Sequence, residues 1–228
     1  LTARSWVLAG IIIAVHFLVL IPSSRYAGLH SRAVAGVALL AMQVSFAAPA
    51  PAPREAVQRT VDNVLATLRD PRFKSAVERR RQLQAQIEER FDFAEMARRS
   101  LGRHWQSRTP AERKEFVEAF RDVLINSYLS TIESYRGEKV RYVRERVENG
   151  YAEVDTLIVD ERGQEYSVNY RLHRAGDQWK IYDVVIEGVS LVSNYRSQFD
   201  RLIRRDSFEE LLKRMRRNQI DAPGTVRK

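Results

Sequence analysis

The chain of 228 residues contains no cysteine. That excludes disulfides, thiolate metal sites and cysteine nucleophiles, and it removes redox chemistry as a guide to compartment. Histidine is almost as scarce, with four in all. His16 and His30 lie in the N-terminal segment, which leaves His104 and His173 for the folded part. His104, in Leu-Gly-Arg-His-Trp at a helix end, reads as a capping or surface residue; His173 closes a strand beside Arg174 and reads as solvated. There is no H-E-x-x-H, no glycine-rich phosphate loop and no G-x-S-x-G elbow. Metal, nucleotide and serine-hydrolase chemistry therefore lack their usual carriers, and no cofactor is expected.

Two apolar runs open the chain, Trp6 to Ile21 before Pro22 and Ala33 to Ala48 after Arg32. Each is shorter than the roughly 20 residues that a spanning helix needs. The second reads as a signal peptide: Arg32 as the basic start, AVAGVALLAMQV as the apolar stretch, and small residues at Ser45-Phe46-Ala47. Cleavage is expected after Ala47, and the working start near Leu29 to Arg32, so that 1–47 is a signal region with 1–28 an upstream extension. An uncleaved anchor made of both runs is the alternative; in either case the folded part faces away from the cytoplasm. The Ala-Pro run 48–53 cannot continue a helix and reads as a linker, followed by one domain over 54–217 and a loose tail over 218–228.

The formal net charge is +9, and the first 47 residues supply three arginines and no acid, which leaves +6 on the rest. A basic surface attracts anions. The last helices concentrate it in Arg201, Arg204, Arg205, Lys213, Arg214, Arg216 and Arg217. Nucleic acid would use such a stripe through its phosphates, but an exported protein rarely meets it, so no nucleic acid is expected. Anionic headgroups, an acidic protein face or plain solvation remain as readings.

Within the domain, apolar residues recur at helical spacing over Arg54–Leu68 and 72–89. Asp92 is placed to cap the next helix, with Glu95 in capping-box register, and Thr109-Pro110 with Glu112 starts a long helix that ends near Tyr135 to Gly137. The period then switches to alternation. Four strands are predicted: Lys139–Glu148, Tyr151–Asp160, Glu165–His173 and Gln178–Glu187. Asn149-Gly150 is the best hairpin turn, because both residues tolerate positive φ. Val184-Val185-Ile186 breaks the alternation as a bulge would. Helical spacing returns after Gly188, and Ser207 caps a last helix to Arg216. The expected class is α+β: N-terminal helices, a four-stranded twisted antiparallel sheet, and C-terminal helices packed on one sheet face.

One carboxylate stands out. Asp183 lies inside the apolar YDVVIEGVSLV, where burial would raise its pKa or demand a partner such as an arginine. A proton-transfer pair of Asp183 with a tyrosine is one reading; an acid that pins a bent strand to a basic helix is the other.

FDFAEMARRSLGRHWQSRTPAERKEFVEAFRDVLINSY, Phe91 to Tyr128, and WKIYDVVIEGVSLVSNYRSQFDRLIRR, Trp179 to Arg205, with VNYRL between them, resemble the MlaC/toluene-tolerance family of periplasmic phospholipid-binding proteins. The resemblance implies a periplasmic carrier of a diderm bacterium with an apolar pocket between sheet and helices. Acyl chains lie inside the pocket and the headgroup largely in solvent. Its implied partners are phospholipid, an outer-membrane lipoprotein complex and the MCE-domain ring of an inner-membrane ABC transporter, with only transient membrane contact. Such a carrier maintains outer-membrane lipid asymmetry and catalyses no reaction.

The sequence offers one candidate lining for such a pocket. It comprises Val143 and Val147; Val154, Thr156 and Ile158; Tyr166, Val168, Tyr170 and Leu172; and Trp179 and Ile181, with Phe120, Leu124, Tyr128, Leu191, Tyr195 and Phe199 closing it from the helix side. A filled core would show the same pattern. A carrier of another apolar lipid such as a hopanoid, a pocket enzyme using Asp183, and a scaffold with a solid core are the rival readings.

Overall fold

The computed structural model describes residues 51–220 apart from 74 and 136. The signal region, its cleavage point and the end of the tail lie outside the described residues. Four helices come first: α1 (Pro53–Arg69), α2 (Ala76–Arg90), α3 (Phe93–Leu101) and α4 (Pro110–Glu133), with a 3-10 turn at Gly102–Trp105 after α3. Strands β1 (Lys139–Glu148), β2 (Tyr151–Val159), β3 (Glu165–Ala175), β4 (Gln178–Ile186) and β5 (Val189–Ser190) follow. Helices α5 (Leu191–Arg205) and α6 (Phe208–Arg216) close the domain. The class is α+β, as the patterning predicts. Among the described residues no helix is long and apolar enough to cross a membrane.

Helix starts follow their caps. Pro53, the last residue of the predicted linker, is the first residue of α1, where its missing N–H costs nothing. Thr109 and Glu112 form a reciprocal capping box at α4: the Thr109 hydroxyl accepts from the Glu112 amide at 3.3 Å, and the Glu112 carboxylate accepts from the Thr109 amide at 2.7 Å. At α3 only half of the expected box forms. Asp92 Oδ1 accepts from the Glu95 amide at 2.9 Å, but the Asp92 amide donates to the Ile181 carbonyl at 2.8 Å. Glu95 turns instead to Arg98 and Arg99.

The sheet is a meander in the order β1-β2-β3-β4-β5, antiparallel throughout. Asn149 (φ 49°) and Gly150 (φ 78°) make the β1–β2 turn. The sheet has five strands rather than four, because Glu187 (φ 48°) and Gly188 (φ 78°) form a second tight turn that folds Val189-Ser190 back on Val185 and Ile186. The irregularity of β4 falls earlier than the apolar run: the register slips where Tyr182 is passed over, between the pairs Leu172–Ile181 and Arg171–Asp183. Asp183, Val184 and Val185 are buried in succession, so the run is apolar because both faces of the strand are covered there. A second slip, at Val143 in β1, leaves that residue without a partner in β2.

Two apolar cores result. One lies between α1 and the sheet, where Ala56, Val57, Val61 and Leu65 meet Val154, Ile158, Val168, Tyr170, Leu172 and Ile181. The other is helical and draws on Val64 of α1 and on α2 to α6. It includes Ile220, whose burial extends the packed body into the predicted loose tail; the Asn218 and Gln219 amides still donate to carbonyls of α6.

Candidate functional site

Where the two cores meet there is unfilled space. α4 supplies one wall with Leu124, Ile125, Tyr128, Leu129 and Ile132, positions that recur every three or four residues and so form one stripe. Ile87 of α2, Phe91, Phe93 and Met96 supply a second wall, and Val184, Ile186 and Leu191 a third. The cavity is small, with about 40 Å³ of space open to the centre of a water-sized sphere. Its lining is apolar apart from the Tyr128 hydroxyl, whose pKa burial and then the neighbouring Tyr195 push upward, so it stays neutral.

Polar bonds behind the lining hold it in place. Asp92, between Phe91 and Phe93, caps α3 with one carboxylate oxygen and meets His173 Nε2 at 2.9 Å with the other. Phe91 bridges to Ile181 of β4, and the Phe91 and Phe93 rings stack at 6.0 Å. Arg90 donates to the Trp179 carbonyl at 2.7 Å and to the Thr60 hydroxyl at 2.9 Å. Lys180 Nζ donates to the Glu89 carbonyl. The segment from Glu89 to Phe93 is thus tied to β4 by side-chain and main-chain bonds together.

Asp183 does the same for the third wall. The carboxylate, 3% exposed, accepts from the Ser190 hydroxyl at 2.6 Å, the Val192 amide at 3.1 Å and Arg171 Nη1 at 3.2 Å. Its oxygens are engaged in fixing the start of α5, and so Leu191, beside β4. None of these donors is a tyrosine. The arrangement is the pinning one: a buried acid satisfied by an arginine, a hydroxyl and a helix N-terminal amide.

Of the residues expected to line a pocket, Leu124, Tyr128 and Leu191 border this cavity. Val154, Ile158, Val168, Tyr170, Leu172, Trp179 and Ile181 are buried in the core between sheet and α1, and Thr156 is buried with them, its hydroxyl donating to the Val168 carbonyl. Phe120, Tyr195 and Phe199 pack ring on ring at 5.2–5.5 Å in the helical core. Tyr166 is half-buried at the start of β3 and donates to Gln164.

Val143 and Val147 are corrected outright, being 55% and 54% exposed. The slip turns Val143 outward. Val147 stands opposite buried Ala152, but α1 begins over Glu145 and Tyr142 and does not reach it. Nine lining residues escaped the sequence reading: Ile87, Phe91, Phe93, Met96, Ile125, Leu129, Ile132, Val184 and Ile186. The stripe through Ile125, Leu129 and Ile132 was a visible signal for three of them.

The basic end of the chain is largely neutralised. Arg204 pairs with Asp200, Arg205 and Arg214 with Asp206, and Arg216 with Glu115. Asp200 also meets Arg103 and His104, whose hydrogen bonds hold its carboxyl below the usual range, His104 first. Among the described residues no group of acids and histidines could hold a metal ion.

Comparison with known proteins places the site in context. The family described as MlaC protein matches residues 58–217. The toluene tolerance protein ttg2D of Pseudomonas putida is 25% identical over 99 residues, 43% of this chain and 46% of that one. The intermembrane phospholipid transport system binding protein MlaC of Haemophilus influenzae is 21% identical over 123 residues, 52% of this chain and 58% of its own. The chain thus spans about half the length of these curated relatives. A solved structure, the phospholipid-binding protein from Ralstonia solanacearum in complex with a phospholipid, aligns with a TM-score of 0.65 at 26% identity, covering 72% of this chain and 95% of that one. The Haemophilus relative is named for phospholipid transport and binding and the Ralstonia structure for phospholipid binding.

Proposed function

The chain belongs to the MlaC family, and from that premise we propose that it is a phospholipid carrier that holds acyl chains in the cavity between α4 and β4. The observation that carries this reading is the lining itself, twelve side chains with a single buried hydroxyl among them. Two acyl chains present about thirty methylenes, and exposing each to water costs about 0.8 kcal/mol. A carrier that moves them through water needs an apolar interior, and an enzyme would need reactive groups facing the ligand. This cavity has the first and lacks the second.

In this reading the lining is the set named above, with Leu124, Tyr128 and Leu191 common to the sequence expectation. The carrier works in the periplasm after export through its signal region. It exchanges lipid with an outer-membrane lipoprotein complex and with the MCE-domain ring of an inner-membrane ABC transporter, maintaining outer-membrane asymmetry. The relatives' names and the phospholipid in the Ralstonia structure support the ligand class.

The test is lipid extraction and mass spectrometry on protein purified from its native compartment, together with uptake from labelled phospholipid vesicles. Copurified phospholipid and uptake that falls more than about tenfold in Leu129→Trp, which fills the cavity, are the expected results. A protein that comes without lipid and takes none from vesicles overturns the reading.

A further inference from the structure

One turn beyond the cavity, the same face of α4 borders a second recess of different character. Leu129 lines the cavity and Glu133 lines the recess, four residues apart and so stacked along one face of the helix. Leu68, which packs against both cores, forms the floor, and Arg69, Arg79, Tyr135 and Gly137 complete the walls around about 750 Å³ of solvent-open space.

The charge in this recess is unbalanced. Nearby carboxylates are already taken: Asp70 by Arg72 at 2.7 Å and Glu133 by Arg80 at 2.8 Å, while Glu138, beside Tyr135, has a partner of its own. Among the described residues neither Arg69 nor Arg79 has a carboxylate within ion-pair distance. Arg69 lies over the Tyr135 ring at 5.5 Å and donates to its hydroxyl at 2.9 Å. That contact orients the guanidinium and leaves its charge unneutralised. Among the described residues Arg79 Nε is buried without a hydrogen-bond partner. A buried donor of this kind is costly unless something fills its place.

We propose that the recess is a phosphate site, in which Arg69 and Arg79 grip the phosphoryl oxygens of a lipid headgroup whose chains lie in the adjoining cavity. The inference rests on the carrier reading and adds to it a headgroup contact. Two guanidinium forks suit a phosphodiester, which offers paired anionic oxygens. An uncharged lipid of the same chain length gains nothing there.

The test compares binding of dihexanoylphosphatidylglycerol, dihexanoylglycerol and inorganic phosphate by the full chain and its variants. Arg69→Gln with Arg79→Gln is expected to weaken the phospholipid about tenfold, one charge-assisted bond's worth, and to leave the diacylglycerol unchanged. Arg69→Lys with Arg79→Lys, which keeps charge without the fork, should lose less. Arg201→Gln with Arg217→Gln removes two cations that are unpaired among the described residues elsewhere on the surface, and should change neither lipid.

Inorganic phosphate is expected to bind weakly, to depend on the same arginines and to compete only with the phospholipid. Phospholipid binding that ignores the Gln pair, or both lipids weakened equally, overturns the phosphate site while leaving the carrier intact. Free phosphate bound as tightly as the phospholipid overturns the headgroup assignment. Failure of the unsubstituted protein to bind either lipid overturns the carrier reading and this inference with it.

Discussion

The two halves of α4 end in different surroundings although both carry buried apolar residues. Phe116 and Phe120, in the first half, join Tyr195, Phe199 and Phe208 in an aromatic cluster with centroids 5.2–6.0 Å apart and no room between them. From Leu124 to Ile132 the same helix, still buried, borders the cavity. Both halves bury an apolar face, and the elements that face it differ. The first half meets helices α5 and α6, whose rings interlock with its own. The second meets the end of β4, where the strand has slipped register at Tyr182 and turns back at Glu187-Gly188. A bordering side chain without atoms opposite it forfeits dispersion contacts. In the proposed carrier the ligand restores them.

The largest expected effect tests that contrast directly. Phe120→Ala should lower the unfolding free energy in urea by about 3–5 kcal/mol, whereas Leu129→Ala, already beside space, should cost about 2 kcal/mol, near the bottom of the range for such truncations. Equal losses would mean that the two halves of α4 are equally packed. Next comes the pin behind the cavity wall. Asp183→Asn replaces a carboxylate that accepts three bonds and should cost about 2 kcal/mol, since bonds to charged groups contribute roughly 1.5–3 kcal/mol each, with phospholipid uptake retained by the folded fraction. Loss of uptake in a fully folded variant would return Asp183 to the site.

A smaller effect is expected from acid. Hydrogen bonds from Arg98, and then Arg99, hold the Glu95 carboxyl below its usual range, so the folded state binds this proton less readily than the unfolded chain. The stability Glu95 contributes is complete above the unfolded value of about 4.3 and is lost as pH falls through the folded one. Glu95→Gln should therefore flatten the stability curve in that acid window and leave its shape at neutral pH unchanged; an unaltered acid limb would dismiss the contribution. Smallest of all, Val143→Thr and Val147→Thr should move stability by no more than about 0.5 kcal/mol and leave uptake intact. A clear loss of uptake would restore them to the lining.

Much of the domain was legible because it is written in local chemistry. Thr109-Pro110 with Glu112 marked the start of α4, Asn149-Gly150 marked the first hairpin, and the alternation in β2 and β3 identified the buried face. Asp92 was legible as a cap, but its box closed only halfway, since its amide found Ile181, 89 residues away in sequence. The Glu187-Gly188 turn was harder to see. Glutamate seldom accepts positive φ, and only the pairing of β5 with β4 holds it there.

The candidate site divides along the same line. From the sequence alone came the α+β class, the order of helices and strands, the apolar faces, the family and the absence of a catalytic motif, because periodicity and caps act within a few residues. Which apolar side chains border space was decided by the tertiary structure. Tyr128 and Phe120 share one broad apolar face of α4, and Val147 looks as inward as Val154. Periodicity reports which way a side chain points. Whether the volume in front of it is filled, empty or solvent depends on where the facing element begins, slips or ends, and here α1 starts short of Val147 while β4 slips register at Tyr182 and turns back at Glu187-Gly188.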